Sequence, residues 1–358
     1  MIKRFTVAVV VSAHNEEKVI SKTLASLKND IHRKDIFIVS DASGDNTDKI
    51  CKKFGVNLLR NKRNIGKINS LKKAIKHYKI LTKYKYVLVL DADTYPKANF
   101  FNLILSRFEK NKNTAVVCGQ VMSQEKANIF VVYRSVMYFI WQNIYKRLSS
   151  TVNAVMIAPG TSSIYKSSVL AKIEFDKDII IEDFDMTFQI HRKKLGSIVY
   201  EPKAEVVTQD PDNFFDYFKQ CTRWQLGFFQ TVKKHKVPFK FQAFDIAIIL
   251  FFTIDLVHSI YLFFLMALFL YSLFPGSHSN FLSFLIDRKI VFYLISIDFL
   301  LLWGFAAIQN FWIKKFYLIF FGPFLWFVQF VSIASLIKGF YQSMFLKISG
   351  PWVSPTRR

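Results

Sequence analysis

Asp91 and Asp93 stand two residues apart at the end of the apolar run Tyr86–Leu90. A hard divalent cation takes oxygen ligands, commonly one or two carboxylates with phosphates completing the set. The pair suits a metal-bound diphosphate, although the same spacing is common in turns. Asp41 closes a second apolar run, Ile36-Phe37-Ile38-Val39. Its carboxylate can accept from a nucleotide base or cap a turn over 41–47. Ser12-Ala13-His14-Asn15-Glu16-Glu17 follows the first apolar run and lets backbone approach a base or ribose. Asn64-Ile65-Gly66-Lys67 adds a turn and a cation suited to phosphate. Ile181-Glu182-Asp183 opens a helical stretch through Arg192. Asp183 is placed to take a proton from an attacking hydroxyl, or simply to complement a helix dipole. Gln220-x-x-Arg223-Trp224 puts an amide, a guanidinium and an indole on one helical turn. That group can hold a sugar and a diphosphate, or seat a tryptophan at a membrane interface.

These residues need elements to hold them. Short apolar runs alternate with polar helical stretches over the first 120 residues. Strands are expected at 6–11, 35–39, 56–59, 86–90 and 115–121, and helices at 16–27, 47–54, 68–78 and 98–109. Such alternation predicts an α/β fold with a parallel sheet covered on both faces. Ligands then gather at the carboxyl ends of the strands, where Asp41 and Asp91 fall.

Composition changes near residue 241. Residues 1–240 hold 41 of the 49 Lys and Arg and 22 of the 26 Asp and Glu, so +19 of the net +23 lies there. A basic surface can serve nucleic acid, anionic lipid or an anionic substrate. No zinc-finger, helix-turn-helix or RNA-recognition pattern supports nucleic acid. Three hydrophobic segments follow, 246–273, 290–311 and 316–337, each near the ~20 residues that cross a bilayer. Asp255, His258 and Asp298 fall inside the first two and should face protein or water. Gly322-Pro323 is expected to interrupt the third. Residues 127–148, apolar but broken by Arg134, Gln142, Asn143, Lys146 and Arg147, read as an interfacial helix or a core helix, and 213–235 as a second interfacial helix. Cys51, Cys118 and Cys221 show no metal-ligand spacing and are read as reduced thiols of a cytoplasm-facing domain. The N-terminus has no cleavable signal pattern, and basic residues 338, 347, 357 and 358 favour a tail near the cytoplasmic face.

The ordered set, an Asp after a strand, Asp-x-Asp, Glu-Asp and Gln-x-x-Arg-Trp before hydrophobic helices, resembles glycosyltransferase family 2. The likeness is to its membrane-embedded branch, which includes hyaluronan, chitin, cellulose and poly-N-acetylglucosamine synthases and ceramide glucosyltransferase. It covers residues 5–230 by motif and the rest by hydrophobicity. It implies a GT-A (Rossmann-like) nucleotide-sugar-binding domain over 1–212, an interfacial helix over 213–242, a transmembrane region over 243–340 and a tail over 341–358. By the resemblance, Ala13 and Glu16 line the nucleotide, Asp41 meets the base, and Lys67 lies near the diphosphate. Asp91 and Asp93 bind the donor and Mg²⁺ or Mn²⁺. Asp183 is the catalytic base with Glu182 beside it. Gly160 and Thr161 begin a stretch beside the acceptor, and Gln220, Arg223 and Trp224 flank diphosphate and acceptor sugar. The segment Trp352–Arg357 is loosely similar to a gating segment of some synthases.

The chain departs from the pattern in carrying Ser40-Asp41 where many members have Asp-Asp, which leaves the base open. The resemblance implies a multi-pass protein of the cell membrane with a cytoplasmic catalytic domain. The expected reaction is metal-dependent, inverting transfer from a nucleotide-sugar, with UDP the expected nucleotide, to a growing polysaccharide or membrane-associated acceptor. Transfer of one sugar to a lipid such as a polyprenyl phosphate, or a non-catalytic membrane scaffold or transporter subunit, are the alternatives. With about three hydrophobic segments, a complete polymer channel needs a second copy or an accessory membrane subunit, or is absent.

Overall fold

Runs of β-branched residues with no charge build the middle of the sheet. In chain order the first half contains β1 (Val7–Ala13), α1 (Ile20–Leu27), β2 (Ile36–Ser40), α2 (Thr47–Phe54), β3 (Asn57–Arg60), α3 (Lys67–His77), α4 (Ile80–Lys83), β4 (Tyr86–Asp91), β5 (Thr94–Pro96), α5 (Phe100–Lys110) and β6 (Thr114–Ser123). This computed structural model describes residues 2–3, 6–176, 178–236, 242–272, 288–313 and 315–346. The tail segment Trp352–Arg357 therefore lies outside the described residues. In β1, Val7, Val9 and Val11 pack against Ile20 and Leu24 of α1 and Phe101 and Ile104 of α5. Ala8 and Val10 point the other way, onto Leu71 and Ala74 of α3. A strand buried on both faces needs apolar residues at every position, hence the unbroken valines.

The chain continues through α6 (Ile129–Ile140), a π turn (Trp141–Lys146), α7 (Arg147–Thr151), β7 (Ser163–Lys166), α8 (Ser167–Leu170), α9 (Glu182–Arg192), β8 (Ser197–Thr208) and α10 (Phe214–His235). The eight strands form one sheet in the order β3-β2-β1-β4-β7-β6-β8-β5. Its first four strands are parallel, as the alternation predicts. The sheet as a whole is mixed, which corrects the parallel expectation. β7 runs antiparallel to β4 and β6 and separates them, and β5 runs antiparallel to β8. β5 follows β4 after only two residues, too few for a crossover back to a parallel neighbour. The first helix also begins later than expected, at Ile20. Glu16 and Glu17 instead spend their backbone N–H groups on Thr47 Oγ1 (2.9 Å) and Asp45 Oδ2 (3.0 Å).

Three long helices complete the molecule: α11 (Ala243–Ser272), α12 (Arg288–Ile313) and α13 (Tyr317–Phe345). Each contains a stretch long and apolar enough to cross a membrane, Ala243–Leu268, Phe292–Trp312 and Phe324–Phe345. α13 runs through Gly322-Pro323 without a break, contrary to expectation, and past residue 340 to Phe345. A proline inside a helix leaves the carbonyl four residues back without its donor. Here that carbonyl belongs to Ile319, and the Trp303 indole N–H donates to it at 3.1 Å. Asp298 is met by His258 (3.5 Å) and Gln329 (3.1 Å) from neighbouring helices. Asp298, inside the second apolar stretch, thus faces protein.

The two halves meet through close backbone approach. A side chain at Gly227 of α10 would lie 2.4 Å from Ile181, immediately before α9. One at Gly339 of α13 would lie 2.6 Å from Gln225. Only glycine lets α10 wedge between the start of α9 and the membrane-grade α13. Arg192 of α9 also pairs through both terminal nitrogens with Asp245, at the start of α11 and fully buried. All three cysteines are free and buried.

Candidate active site

The ends of β1, β2 and β4 form the floor. Ser12 and Asp91 are register neighbours, and the Asp41 N–H donates to Ala13 O at 2.8 Å. Ala13 is buried as a strand end and is not on the cavity wall. Asp41 is 2% exposed, and its carboxylate accepts from Ile65 N (3.0 Å), Gly66 N (2.8 Å) and Asn61 Nδ2 (2.8 Å). Asp41 therefore fixes the turn that launches Lys67.

Lys67 begins α3, and its Nζ lies 2.7 Å from Asp91 Oδ1 and 2.6 Å from Glu182 Oε1. One ammonium thus joins the end of β4 to the start of α9, residues 91 positions apart in sequence. Asp183 follows: its Oδ2 accepts from Gly160 N at 3.3 Å and its Oδ1 from Phe184 N at 2.9 Å. Burial, with the Glu182 charge adding to it, raises the Asp183 carboxyl to about 6, while Lys67 and the Gly160 N–H act in the opposite direction. Arg223 reaches the same place from α10. Burial lowers its affinity for the proton, and the charges of Glu182, Asp91, Asp183 and Asp93 counter that. Asp91, Asp93, Glu182 and Asp183, spread over more than 90 residues, thus act on Lys67, Arg223 or both.

A cavity of about 490 Å³ runs from this floor toward the long helices. Glu16, Asp41, Lys67, Asp91 and Asp93 are among its lining residues, as are Thr161, Gln220, Arg223 and Trp224. Phe251 and Asp255 of α11 and Ser332 of α13 line its far end. Gly160, Glu182 and Asp183 do not line it. Glu182 is engaged by Lys67, and Asp183 by the Gly160 N–H. Asp91 and Asp93 fit a divalent cation by chemistry, both being hard oxygen donors at one strand end. Among the described residues no group of three or more metal-binding side chains forms. Other ligands would therefore come from diphosphate and water, the usual arrangement for Mg²⁺.

The structure adds residues that the motifs do not contain. Arg134, Tyr138, Gln142 and Lys146 line the cavity from α6 and the π turn. Arg134 is 4% exposed, while Leu148 on the same helical run is 65% exposed. In the later turns the polar Gln142 and Lys146 are buried while Ile144 and Leu148 are exposed, but Val132 and Val136 of α6 are buried beside Arg134, so the run is not a simple interfacial helix with its polar face to water. The spacing of four among Arg134, Tyr138, Gln142 and Lys146 was the available signal: it places all four on one helical face. Asp210, two residues past β8, also lines the cavity. Burial raises its carboxyl to about 6, against the pull of Arg134. In sequence, Gln209-Asp210-Pro211 reads only as a turn.

Comparison with known proteins adds a family match and a fold match. Residues 8–174 match the family described as Glycosyl transferase family 2. The chain is 28% identical over 253 residues to a poly-beta-1,6-N-acetyl-D-glucosamine synthase of Staphylococcus epidermidis, covering 67% of this chain and 60% of the relative. The synthase of the same name from Staphylococcus aureus strain COL is also 28% identical, over 250 residues, 66% of this chain and 60% of that one. The chain thus spans about three fifths of these relatives' length. Among solved structures, a mannosyltransferase from Pyrobaculum calidifontis, in complex with GDP-Man and Mn²⁺, superposes with a TM-score of 0.65 at 16% identity, over 96% of this chain and 88% of that one. That likeness establishes the shared fold.

Proposed function

We propose, from the match of residues 8–174 to glycosyltransferase family 2, that this enzyme inverts the anomeric centre as it transfers a sugar from a nucleotide-sugar to a saccharide chain held at a membrane. One observation carries this reading. Lys67 ties Asp91 to Glu182 at a cavity that Arg223 and Trp224 also line and that continues to α11 and α13. Donor-type anion binding and acceptor-type stacking thus share a single space that leads toward the membrane-grade helices.

The acceptor hydroxyl attacks the anomeric carbon, and its proton passes to Asp183. The bond from that carbon to the diphosphate oxygen breaks, and its electron pair leaves with the nucleoside diphosphate. Inversion follows from attack on the face opposite the leaving group. Asp183 suits the base role because a carboxyl near 6 is ionised at neutral pH yet more basic than an ordinary aspartate. Lys67 and Arg223 are cations aimed at the leaving diphosphate. An ammonium carries three N–H donors and Lys67 spends two on Asp91 and Glu182, so it can meet the diphosphate with the third or by exchanging one carboxylate for it. A cation on Asp91 and Asp93, Mg²⁺ or Mn²⁺, would neutralise charge on that diphosphate when bound. Trp224 offers a ring face to the acceptor sugar. Glu16 and Asp41 are assigned to the nucleotide end, Asp41 chiefly through the Lys67 turn. Gly160 and Thr161 border the acceptor.

The names of the relatives make N-acetylglucosamine the first sugar to test, with UDP as its carrier. A nucleotide-sugar donor places the domain at the cytoplasmic face, with the three long helices as multi-pass anchors. The test uses the purified full chain in lipid nanodiscs with labelled UDP-N-acetylglucosamine and Mn²⁺, products being sized on a gel. A ladder of saccharides lost on chelation is expected. A single lipid-linked product would replace the polysaccharide reading by the lipid one. Absence of any turnover across a panel of nucleotide-sugars would remove the enzymatic reading.

A further inference from the structure

We propose that Arg134 of α6 is the positioning residue of the acceptor platform, holding Gln220 and Trp224 in one orientation and leaving a single face of the Trp224 ring for the sugar. The proposal rests on the glycosyl-transfer reading above and adds to it a residue outside all four sequence motifs.

Arg134 Nη2 donates to Gln220 Oε1 at 3.1 Å and to Cys221 Sγ at 3.4 Å. Its guanidinium carbon lies 4.1 Å from the centre of the Trp224 ring and 4.7 Å from that of Tyr217. A third ring, Tyr138, stands 5.9 Å away. One planar cation thus touches the first and last members of the Gln220–Trp224 motif together. A guanidinium is suited to this, because its fork bonds in the plane while its face stacks on aromatics. No ammonium does both.

Burial makes the arrangement informative. Arg134 is 4% exposed; Asp210 attracts it through space, but among the described residues no carboxylate forms a direct ion pair with it. Its Nε is buried without a hydrogen-bond partner. A buried cation held mainly by rings and an amide is a costly way to fill space, which a leucine would fill more cheaply. What the cation supplies that leucine does not is orientation. With one face of Trp224 covered at 4.1 Å, a pyranose can stack only on the other. The platform becomes one-sided, and the direction from which an acceptor hydroxyl reaches Asp183 is set. α6 is itself held still. Gln142 donates to Val121 O at 2.7 Å and accepts from Val121 N at 2.8 Å, tying the helical run to β6.

The test uses the full chain in nanodiscs, UDP-N-acetylglucosamine as donor and a β-1,6-linked N-acetylglucosamine tetramer as acceptor probe. In R134M the KM for the tetramer should rise about tenfold while the KM for the donor moves less than about twofold, the scale expected for losing one charged hydrogen bond and one cation–ring contact. R134K, the conservative variant that keeps the charge, is measured beside it as the control for folding and should recover at most part of the acceptor affinity. Binding of the tetramer without donor is read separately from tryptophan emission, with W224F identifying the Trp224 signal. An unchanged acceptor KM in R134K and R134M overturns the proposal, as does an equal loss of donor and acceptor affinity. Tetramer binding that depends on Arg134 in a chain that turns over no nucleotide-sugar would uphold the platform and sink the transfer reading. Donor turnover with no tetramer binding in the wild type would do the reverse.

Discussion

Two cations stand in one cavity and are held in opposite ways. Lys67 is an ammonium gripped by two carboxylates, Asp91 and Glu182, at 2.7 and 2.6 Å. Arg134 is a guanidinium held by an amide and aromatic rings, with no carboxylate paired to it among the described residues. A compact ammonium on a flexible stem can exchange one oxygen partner for another. A diphosphate offers such oxygens, so the Lys67 end is built to rearrange when a donor arrives. The Arg134 contacts are planar and directional and offer an incoming anion little to exchange. The donor end is thus exchangeable and the acceptor end fixed.

The largest effect is expected where the two ends meet. Asp183→Asn removes the proton acceptor while keeping the shape and the capacity to accept from Gly160 N. Transfer should fall by roughly 10³-fold, the range for loss of a positioned general base. Nucleotide binding, measured by calorimetry, should persist. Wild-type turnover in this variant would move the base elsewhere, and Asp210 would be the next carboxylate to examine.

Lys67→Met comes second. With the ammonium gone, Asp91 and Glu182 face each other unbridged, and the donor loses a charged contact worth about tenfold to a hundredfold in affinity. The KM for the donor should rise by that amount and the KM for a saccharide acceptor should stay. A rise in the acceptor KM instead would show that the two ends are not separable.

The strand-end carboxylates were legible because their signal is local. An apolar run that stops at Asp41 or Asp91 names both the strand and its carboxyl end, and an α/β sheet puts ligands there. Asp183 at the start of α9 was legible for the same reason. The fixed end was hidden. Arg134 interrupts an apolar stretch, and in sequence a lone cation there looks like a residue turned to solvent. Only the packing of α6 against α10 and α13 turns it inward. β7 was not foreseen because four residues, Ser163–Lys166, carry too little periodicity to announce a strand. The unbroken α13 depended on a partner for the Ile319 carbonyl, Trp303, that lies on another helix.

A pH profile gives a third, graded test. Asp183 must be ionised to take a proton, and its carboxyl is raised to about 6. The rate of transfer at low acceptor concentration should therefore be flat near neutral pH and fall about tenfold per unit as pH drops below about 6. Lys67 favours the ionised form, so in Lys67→Met the limb should move to higher pH. Lys67→Arg should leave it close to the wild-type position. A limb that stays put when the Lys67 charge is removed would mean that Lys67 and Asp183 do not sense each other.

The smallest effect belongs to the fixed end. Gln142→Leu keeps the bulk of the side chain but leaves the Val121 N–H and C=O buried without their partner. Each such loss costs about 1–3 kcal/mol, so thermal unfolding should shift down by several degrees. If the acceptor end works by staying still, loosening α6 from β6 should raise the acceptor KM by about threefold, less than half a decade of affinity. The donor KM should not move, since Lys67 and Asp91 are anchored through Asp41 and β4 rather than through α6. Steady-state kinetics on the two substrates separate these outcomes, with melting of the same preparation as the control for folding. An acceptor KM that ignores a several-degree loss of stability would show that Arg134 holds its platform without help from β6, and that the fixed end is as small as the guanidinium and the rings around it.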